Sequence, residues 1–212
     1  MKAIVFGGSG FLGSHVADIL SSEGYEVTIY DIRPSDFIKD NQKMFVGDVC
    51  NKQQIRKAIK GSDIVYHFAA IADIAEAHEN PVKCIEINIL STTYILEACK
   101  EFNIKRFIFG STIYVYSDHG SFYRVSKQSC ELIIENYSKI YDLDYTILRY
   151  GSLYGPRSNK FNFIKSAIQQ AMLKKEIIRN GNGNELRDYI HIVDAARASV
   201  SALDEQYINS NI

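Results

Sequence analysis

Nothing in this sequence supplies an electrostatic footprint for nucleic acid: 24 basic and 25 acidic side chains leave a formal charge of −1, and no basic run disturbs that balance. No apolar stretch approaches the roughly 18 residues of a membrane span. Met1-Lys2 runs straight into an apolar segment, so neither a membrane segment nor a signal peptide is expected. The four cysteines, Cys50, Cys84, Cys99 and Cys130, are scattered without a C-x-x-C pair and read as small core residues in a reducing cytoplasm. The five histidines are equally dispersed, so no metal site is expected. Internal repeats and low-complexity linkers are missing too. What remains is 212 residues, 46% hydrophobic, ample for a packed core and suited to one compact unit or one domain plus part of a second.

What is present begins at residue 3. Ala3-Ile4-Val5-Phe6 reads as a buried strand, and Phe11, Leu12, Val16, Ile19 and Leu20 recur at helical spacing. Between them lies Gly7-Gly8-Ser9-Gly10-Phe11-Leu12-Gly13, which fits both G-x-G-x-x-G and a G-x-x-G-x-x-G spacing on Gly7, Gly10 and Gly13. A strand-to-helix turn of this kind lets a dinucleotide pyrophosphate approach bare backbone, where the free N–H groups of the helix start favour its charge. Tyr25 to Tyr30 reads as the next strand and ends in Asp31, placed to accept hydrogen bonds from the adenosine ribose. That carboxylate would repel a 2′-phosphate, so NAD is preferred to NADP, although Arg33 nearby keeps the second open. A P-loop is excluded, because no Lys-Ser/Thr pair follows the glycines.

Further strands are expected at Lys43–Val46, Ile64–Phe68, Arg106–Phe109 and Tyr145–Leu148. Helices are expected at 51–60, from Pro81 to about Glu101, at 123–140 and at 193–204. Strands alternating with helices in this way predict a doubly wound parallel sheet with helices on both faces. In such a fold ligands bind beyond the carboxyl ends of the strands. Asp31, Asp48, Phe68-Ala69-Ala70, Ser111-Thr112 and Tyr150-Gly151-Ser152 all follow strands and should line one crevice.

Tyr123 and Lys127 stand four apart at the start of a helix, on one face. A phenol with a pKa of about 10 is a poor base at neutral pH. A nearby ammonium and a cationic nicotinamide would favour its phenolate and lower that value. Thr112 could donate a hydrogen bond to the same substrate oxygen, while the tyrosinate takes the hydroxyl proton as hydride leaves carbon. Chance alone supplies about one Y-x-x-x-K in a chain of this composition, and one is present. The pair therefore gains its weight from its place, on the helix after the fifth strand and behind Ser-Thr.

These segments together (GGSGFLGSHVADIL, YDIRP, GDV, HFAA, the Asn88 helix, FGSTIYVYS, YRVSK, LRYGSLYGPR and RDYIHIVDAARA) resemble the extended short-chain dehydrogenase/reductases, in particular the NAD-dependent nucleotide-sugar epimerase/dehydratase group. The resemblance implies a Rossmann-type NAD-binding domain over residues 1–155, with a partial substrate-binding segment, 156–212, packed on it. It places Gly7, Gly10, Phe11, Leu12 and Gly13 at the pyrophosphate, Asp31 at the ribose, and Asp48 and Val49 at the adenine. Phe68, Ala69, Ala70, Asn88, Ser111 and Tyr150 would complete the coenzyme site, with Ala69 and Ala70 by the phosphates. Lys127 would hold the nicotinamide ribose, and Tyr123 and Thr112 would work on the substrate hydroxyl. Ser152 and Arg187 would face the substrate diphosphate, Arg187 through forked charge-assisted hydrogen bonds. The two long helices correspond to those that pair relatives into homodimers.

Four departures narrow the expected activity. Dehydratases of the group carry Asp-Glu or Glu just after the catalytic Ser/Thr, whereas Thr112 is followed by Ile113-Tyr114; this argues against a 4,6-dehydratase. The connection Ser117–Phe122, which shapes the sugar pocket, is short, and Ser152 stands where an Asn is common. Relatives also continue past Ile212, so the substrate part is expected to be small and incomplete. The expected function is a nucleotide-sugar epimerase. The alternatives are a 4-dehydrogenase or reductase, or a catalytically idle NAD-binding module.

Overall fold

The apolar residues of the first strand divide between two cores, which is why the sheet lies in the middle of the molecule. In β1 (Lys2–Phe6), Ile4 and Phe6 enter one cluster while Ala3 and Val5 enter the other, as strand alternation requires. The structure, a computed structural model, describes residues 1–159, 161–178, 181–182, 184 and 186–212. After β1 come α1 (Phe11–Ser22), β2 (Glu26–Asp31), β3 (Gln42–Val46), α2 (Lys52–Ile59) and β4 (Ile64–His67). Next are α3 (Ile74–Glu79), α4 (Pro81–Cys84), a π-helical turn over Ile85–Leu90, α5 (Ser91–Glu101) and β5 (Arg106–Thr112). A 3₁₀ turn at Ile113–Tyr116 leads to α6 (Ser121–Tyr141) and β6 (Tyr145–Tyr150). The chain closes with β7 (Ser152–Tyr154), α7 (Phe163–Lys174), β8 (Tyr189–His191), α8 (Ile192–Ser201) and β9 (Ser210–Asn211).

Seven strands form one parallel sheet in the order β3-β2-β1-β4-β5-β6-β9, and β7 pairs in parallel with β8 as a separate ribbon. Ile55 and Ile59 of α2, Ile95 and Leu96 of α5, and Cys130 and Ile134 of α6 cover one face. Val16 and Leu20 of α1, with Ile192, Ala195 and Ala196 of α8, cover the other. This is the doubly wound Rossmann-type fold. The strand order reverses between β1 and β4, and the crevice above that switch point is where the fold receives ligands. Among the described residues no helix is long and apolar enough to cross a membrane.

The structure adds detail that periodicity did not carry. Strands five and six run on to Thr112 and Tyr150, which brings both residues into the sheet as register partners. The segment from Pro81 to Glu101 is interrupted rather than continuous: at the π-helical turn the Ser91 N–H reaches back five residues to the Glu86 carbonyl. Residues 192–211 return to the sheet, α8 alongside α1 and β9 beside β6.

Two glycines make the first turn possible. Gly7 has φ +77°, and a β-carbon on it would lie 2.6 Å from the Ala69 backbone nitrogen. One on Gly13 would lie 2.3 Å from the Gly7 carbonyl oxygen. Gly13→Ala therefore lowers stability by about 1–3 kcal/mol or more in urea unfolding, as overpacking against fixed backbone does. A loss below about 0.5 kcal/mol, the range of an ordinary surface change, would show that the turn and α1 separate freely.

Candidate active site

At the switch point, Gly10 caps α1 from an extended conformation and offers no side chain to the helix. The first N–H of α1 to close a turn is that of Ser14, onto the Gly10 carbonyl at 3.1 Å. The N–H groups of Phe11, Leu12 and Gly13 precede it, at the positive end of the helix, where an anion is favoured. A β-carbon at Gly7 or Gly13 would collide with neighbouring backbone, so this turn is bare main chain. It fits a dinucleotide pyrophosphate on its own geometry.

Asp31 closes β2 beside the same turn. Its carboxylate accepts from the N–H of Ser9 at 3.1 Å and of Arg33 at 3.3 Å, which holds it at the rim where a ribose would lie. Asp48 is exposed; its Oδ1 accepts from the Cys50 N–H at 2.8 Å and its carbonyl from the Tyr30 hydroxyl at 2.8 Å. Val49 packs partly against the core. Phe68, Ala69 and Ala70 are half-buried, with Ala69 directly against Gly7.

Asn88 is buried, and its side chain is engaged within the protein. Its Oδ1 accepts from the Ile71 N–H at 2.8 Å, while its amide donates to the Ile71 carbonyl at 3.0 Å and to Ser126 Oγ at 2.9 Å. Its carbonyl accepts from Thr92 Oγ1 at 2.6 Å and Cys130 Sγ at 3.1 Å. It thus ties the loop after β4 to α6. Beneath it lies His67, whose Nε2 meets Thr92 Oγ1 at 2.9 Å and whose pKa burial lowers to about 3, keeping the ring neutral.

The structure brings Thr112, Tyr123 and Lys127 together. β5 carries Thr112 to its last position, and α6 starts after Gly120, whose φ of +103° reverses the chain onto Tyr114. Thr112 Oγ1 accepts from the Tyr114 N–H at 3.3 Å, and its hydroxyl is near enough to Tyr123 to favour the phenolate. Lys127 is buried; its Nζ donates to the Gly110 carbonyl at 2.7 Å and lies 4.5 Å from the Phe109 ring centre and 5.9 Å from that of Tyr123. Desolvation lowers the Lys127 pKa to about 8. Desolvation also outweighs the Thr112 hydroxyl at Tyr123 and pushes its pKa up to about 12. The sequence predicts a lowered phenol with an ammonium and a nicotinamide cation acting together; in the protein by itself, burial is the largest influence on the phenol. Each charged form is disfavoured singly, and a phenolate and an ammonium formed together would stabilise one another.

Ser111, in the sheet beside Thr112, turns its hydroxyl to donate to Glu131. The Tyr150 hydroxyl pairs with Ser199 Oγ of α8 at 2.7 Å, and burial raises its pKa. The Ser152 N–H donates to the Asp188 carbonyl at 2.7 Å, and Arg187 next to it is exposed. Ser152 is the register partner of Tyr189 across the β7–β8 ribbon, and Arg187 lies two residues ahead of that partner, before β8 begins. Sequence reasoning missed Glu131, Arg149 and Tyr116, which surround Ser111. The missed signal was the i+4 series from Tyr123 through Lys127, whose next member is an acid. Among the described residues no group of three or more His, Cys, Asp or Glu could hold a metal ion.

Residues 3–211 match the NAD dependent epimerase/dehydratase family. A putative UDP-glucose 4-epimerase of Methanocaldococcus jannaschii is 31% identical over 95% of this chain and 73% of its own length. The UDP-glucose 4-epimerase of Thermotoga maritima, solved with UDP-glucose, superposes with a TM-score of 0.92 at 29% identity, covering 100% of this chain and 76% of that one. UDP-glucuronic acid 4-epimerase of Bacillus cereus, solved with UDP-glucuronic acid and NAD, gives 0.91 at 28% identity, with coverage of 100% and 76%. Bare glycine turn, acid-tipped second strand and Thr-Tyr-Lys grouping thus lie within a match spanning nearly the whole sequence, and the chain belongs to the NAD-dependent epimerase/dehydratase family of enzymes.

Proposed function

We propose that this chain is a nucleotide-sugar epimerase that inverts a hydroxyl-bearing carbon of a UDP-linked sugar. The observation that carries the reading is the grouping of Thr112, Tyr123 and Lys127 at the carboxyl end of β5, beside the glycine turn. Phe11, Leu12 and Gly13 would hold the coenzyme pyrophosphate by their N–H groups, and Asp31 the adenosine ribose. Bound NAD supplies the centre that takes up a hydride from the sugar carbon and returns it. Thr112 donates a hydrogen bond to the sugar oxygen, and Tyr123 takes the hydroxyl proton and gives it back. Lys127 favours the phenolate through its charge. In this division of labour residues 1–155 bind the coenzyme. The 156–212 segment is the substrate side, where Arg187 and Ser152 face the diphosphate; its α8 and β9 nonetheless pack on the sheet.

Two further readings accompany it. Four free cysteines, three of them buried, suit a reducing cytoplasm, and the near-neutral charge suits a small-molecule partner rather than nucleic acid. A homodimer is supported by apolar side chains on the outer sides of two neighbouring segments. Phe122, Val125, Leu132 and Ile140 are exposed along α6, and Val82, Ile85 and Leu90 on the α4–α5 segment.

Tyr123→Phe should lower turnover of UDP-sugars by at least about 10²-fold while NAD binding is retained; undiminished turnover would remove Tyr123 as the proton acceptor. Lys127→Met is expected to raise thermal stability at pH 7. The unfolded chain keeps this lysine charged to about pH 10.4, the folded one only to about 8, so the parent gains stability as pH rises between these values. The variant's advantage should accordingly fade by pH 10.5, and calorimetry showing none at pH 7 would refute the buried, depressed amine. Leu132→Lys should move the protein from dimer to monomer mass in light scattering; a parent already monomeric at tens of micromolar would defeat the dimer.

A further inference from the structure

One face of α6 presents Tyr123, Lys127 and Glu131 at successive four-residue steps, and each meets the end of β5. Tyr123 lies near Thr112, Lys127 Nζ donates to the Gly110 carbonyl, and Glu131 accepts from Ser111 Oγ. The third rung is the most heavily built. Arg149, the register partner of Ser111 on β6, donates through Nε to Glu131 Oε1 at 3.1 Å and through a terminal nitrogen to Oε2 at 2.6 Å, and it also donates to the Tyr116 hydroxyl. The guanidinium lies 4.8 Å from the Tyr116 ring centre. Glu131 is 6% exposed, so this is a desolvated forked ion pair rather than a surface contact. One carboxylate thus joins β5, β6, α6 and the turn after β5.

We propose that Glu131 is a positioning residue for the Thr112–Tyr123–Lys127 site: clamped by Ser111 and Arg149, it sets α6 against the end of β5 and adds a negative charge one helical turn beyond Lys127. The inference rests on the functional reading above.

The surroundings of Lys127 support the electrostatic part. The ionisable groups facing it are Cys84 from α4, His67 from β4, and Tyr123, Cys130 and Glu131 from its own helix; β5 offers only the Gly110 carbonyl and the Phe109 ring. Burial raises both thiols and the phenol and lowers the imidazole, so these four are uncharged near neutral pH. Among the described residues Glu131 is then the one carboxylate acting on the lysine, and its charge favours the protonated amine. The Arg149 fork fixes that carboxylate in place.

The test uses Glu131→Gln, close in shape, and the double variant Glu131→Leu/Arg149→Met, which exchanges the pair for apolar side chains of similar bulk and can restore stability. Lys127 is followed by the ¹³Cε shift in ¹³C-lysine-labelled protein, assigned against Lys127→Met. In both variants the Lys127 titration midpoint should move to lower pH than in the parent. kcat should fall about 10²-fold, as a displaced catalytic group entails, with KM for the UDP-sugar and the Kd for NAD within about twofold of the parent. A double variant as stable as the parent, with an unchanged Lys127 midpoint and kcat within twofold, would overturn the proposal and leave the pair a brace alone. Should the double variant fail to fold, an unchanged midpoint and kcat in Glu131→Gln would overturn it equally. If the parent itself turns over no UDP-sugar, the functional reading falls, while the Lys127 midpoint still decides the role of Glu131.

Discussion

Backbone rests on backbone where Gly7 meets Ala69 and Gly13 meets Gly7, with no room for a β-carbon at either contact. That constraint fixes where α1 begins and in which direction it leaves the sheet. It places the positive end of the helix over the gap between β1 and β4 and draws the loop after β4 up against the turn. The opposite side of α1 then supplies the surface on which α8 lies, through Val16, Ala17 and Leu20 against Ile192, Ala195 and Ala196. Coenzyme cradle and second helical layer thus share one origin.

The reactive side of the crevice is organised by the burial of charge-bearing groups. Lys127 and Tyr123 are each displaced toward their uncharged forms, to about 8 and about 12, which a site selected for stability alone would avoid. The surrounding hydrogen bonds then govern which charges can coexist. The lysine has a backbone carbonyl and an aromatic face, the tyrosine has Thr112, and behind both stands an acid held by an arginine.

Much of this was legible in the residues. The apolar runs located the first six strands but not β7, β8 or β9, the glycine spacing located the turn, and the four-residue step put Tyr123 and Lys127 on the α6 face that meets β5. Periodicity assigns a face but no partner, and there it stopped. Asn88 and Ser111 stand on the expected side of the crevice, yet their polar atoms bond Ile71 and Glu131, which only three-dimensional packing brings near. Tyr150 is held by Ser199, about fifty positions away. The phenol pKa was expected to fall with an ammonium and a nicotinamide cation beside it; the desolvation that raises it in the protein alone depends on the depth of the side chain, which a linear sequence does not display. Four-residue arithmetic continued by one step would have reached Glu131.

The widened turn at Ile85–Leu90 has a consequence inside its own segment. In a regular α-helix the Ser91 N–H would return four residues to the Ile87 carbonyl. By taking one longer stride, the Ser91 N–H passes over the Ile87 carbonyl to reach Glu86, and the Ile87 oxygen accepts from the Ser91 hydroxyl instead. A side chain thus stands in for a missing rung: were one residue removed so that the coil became uniform, that oxygen would regain a backbone partner and the buried Ser91 hydroxyl would lose its own.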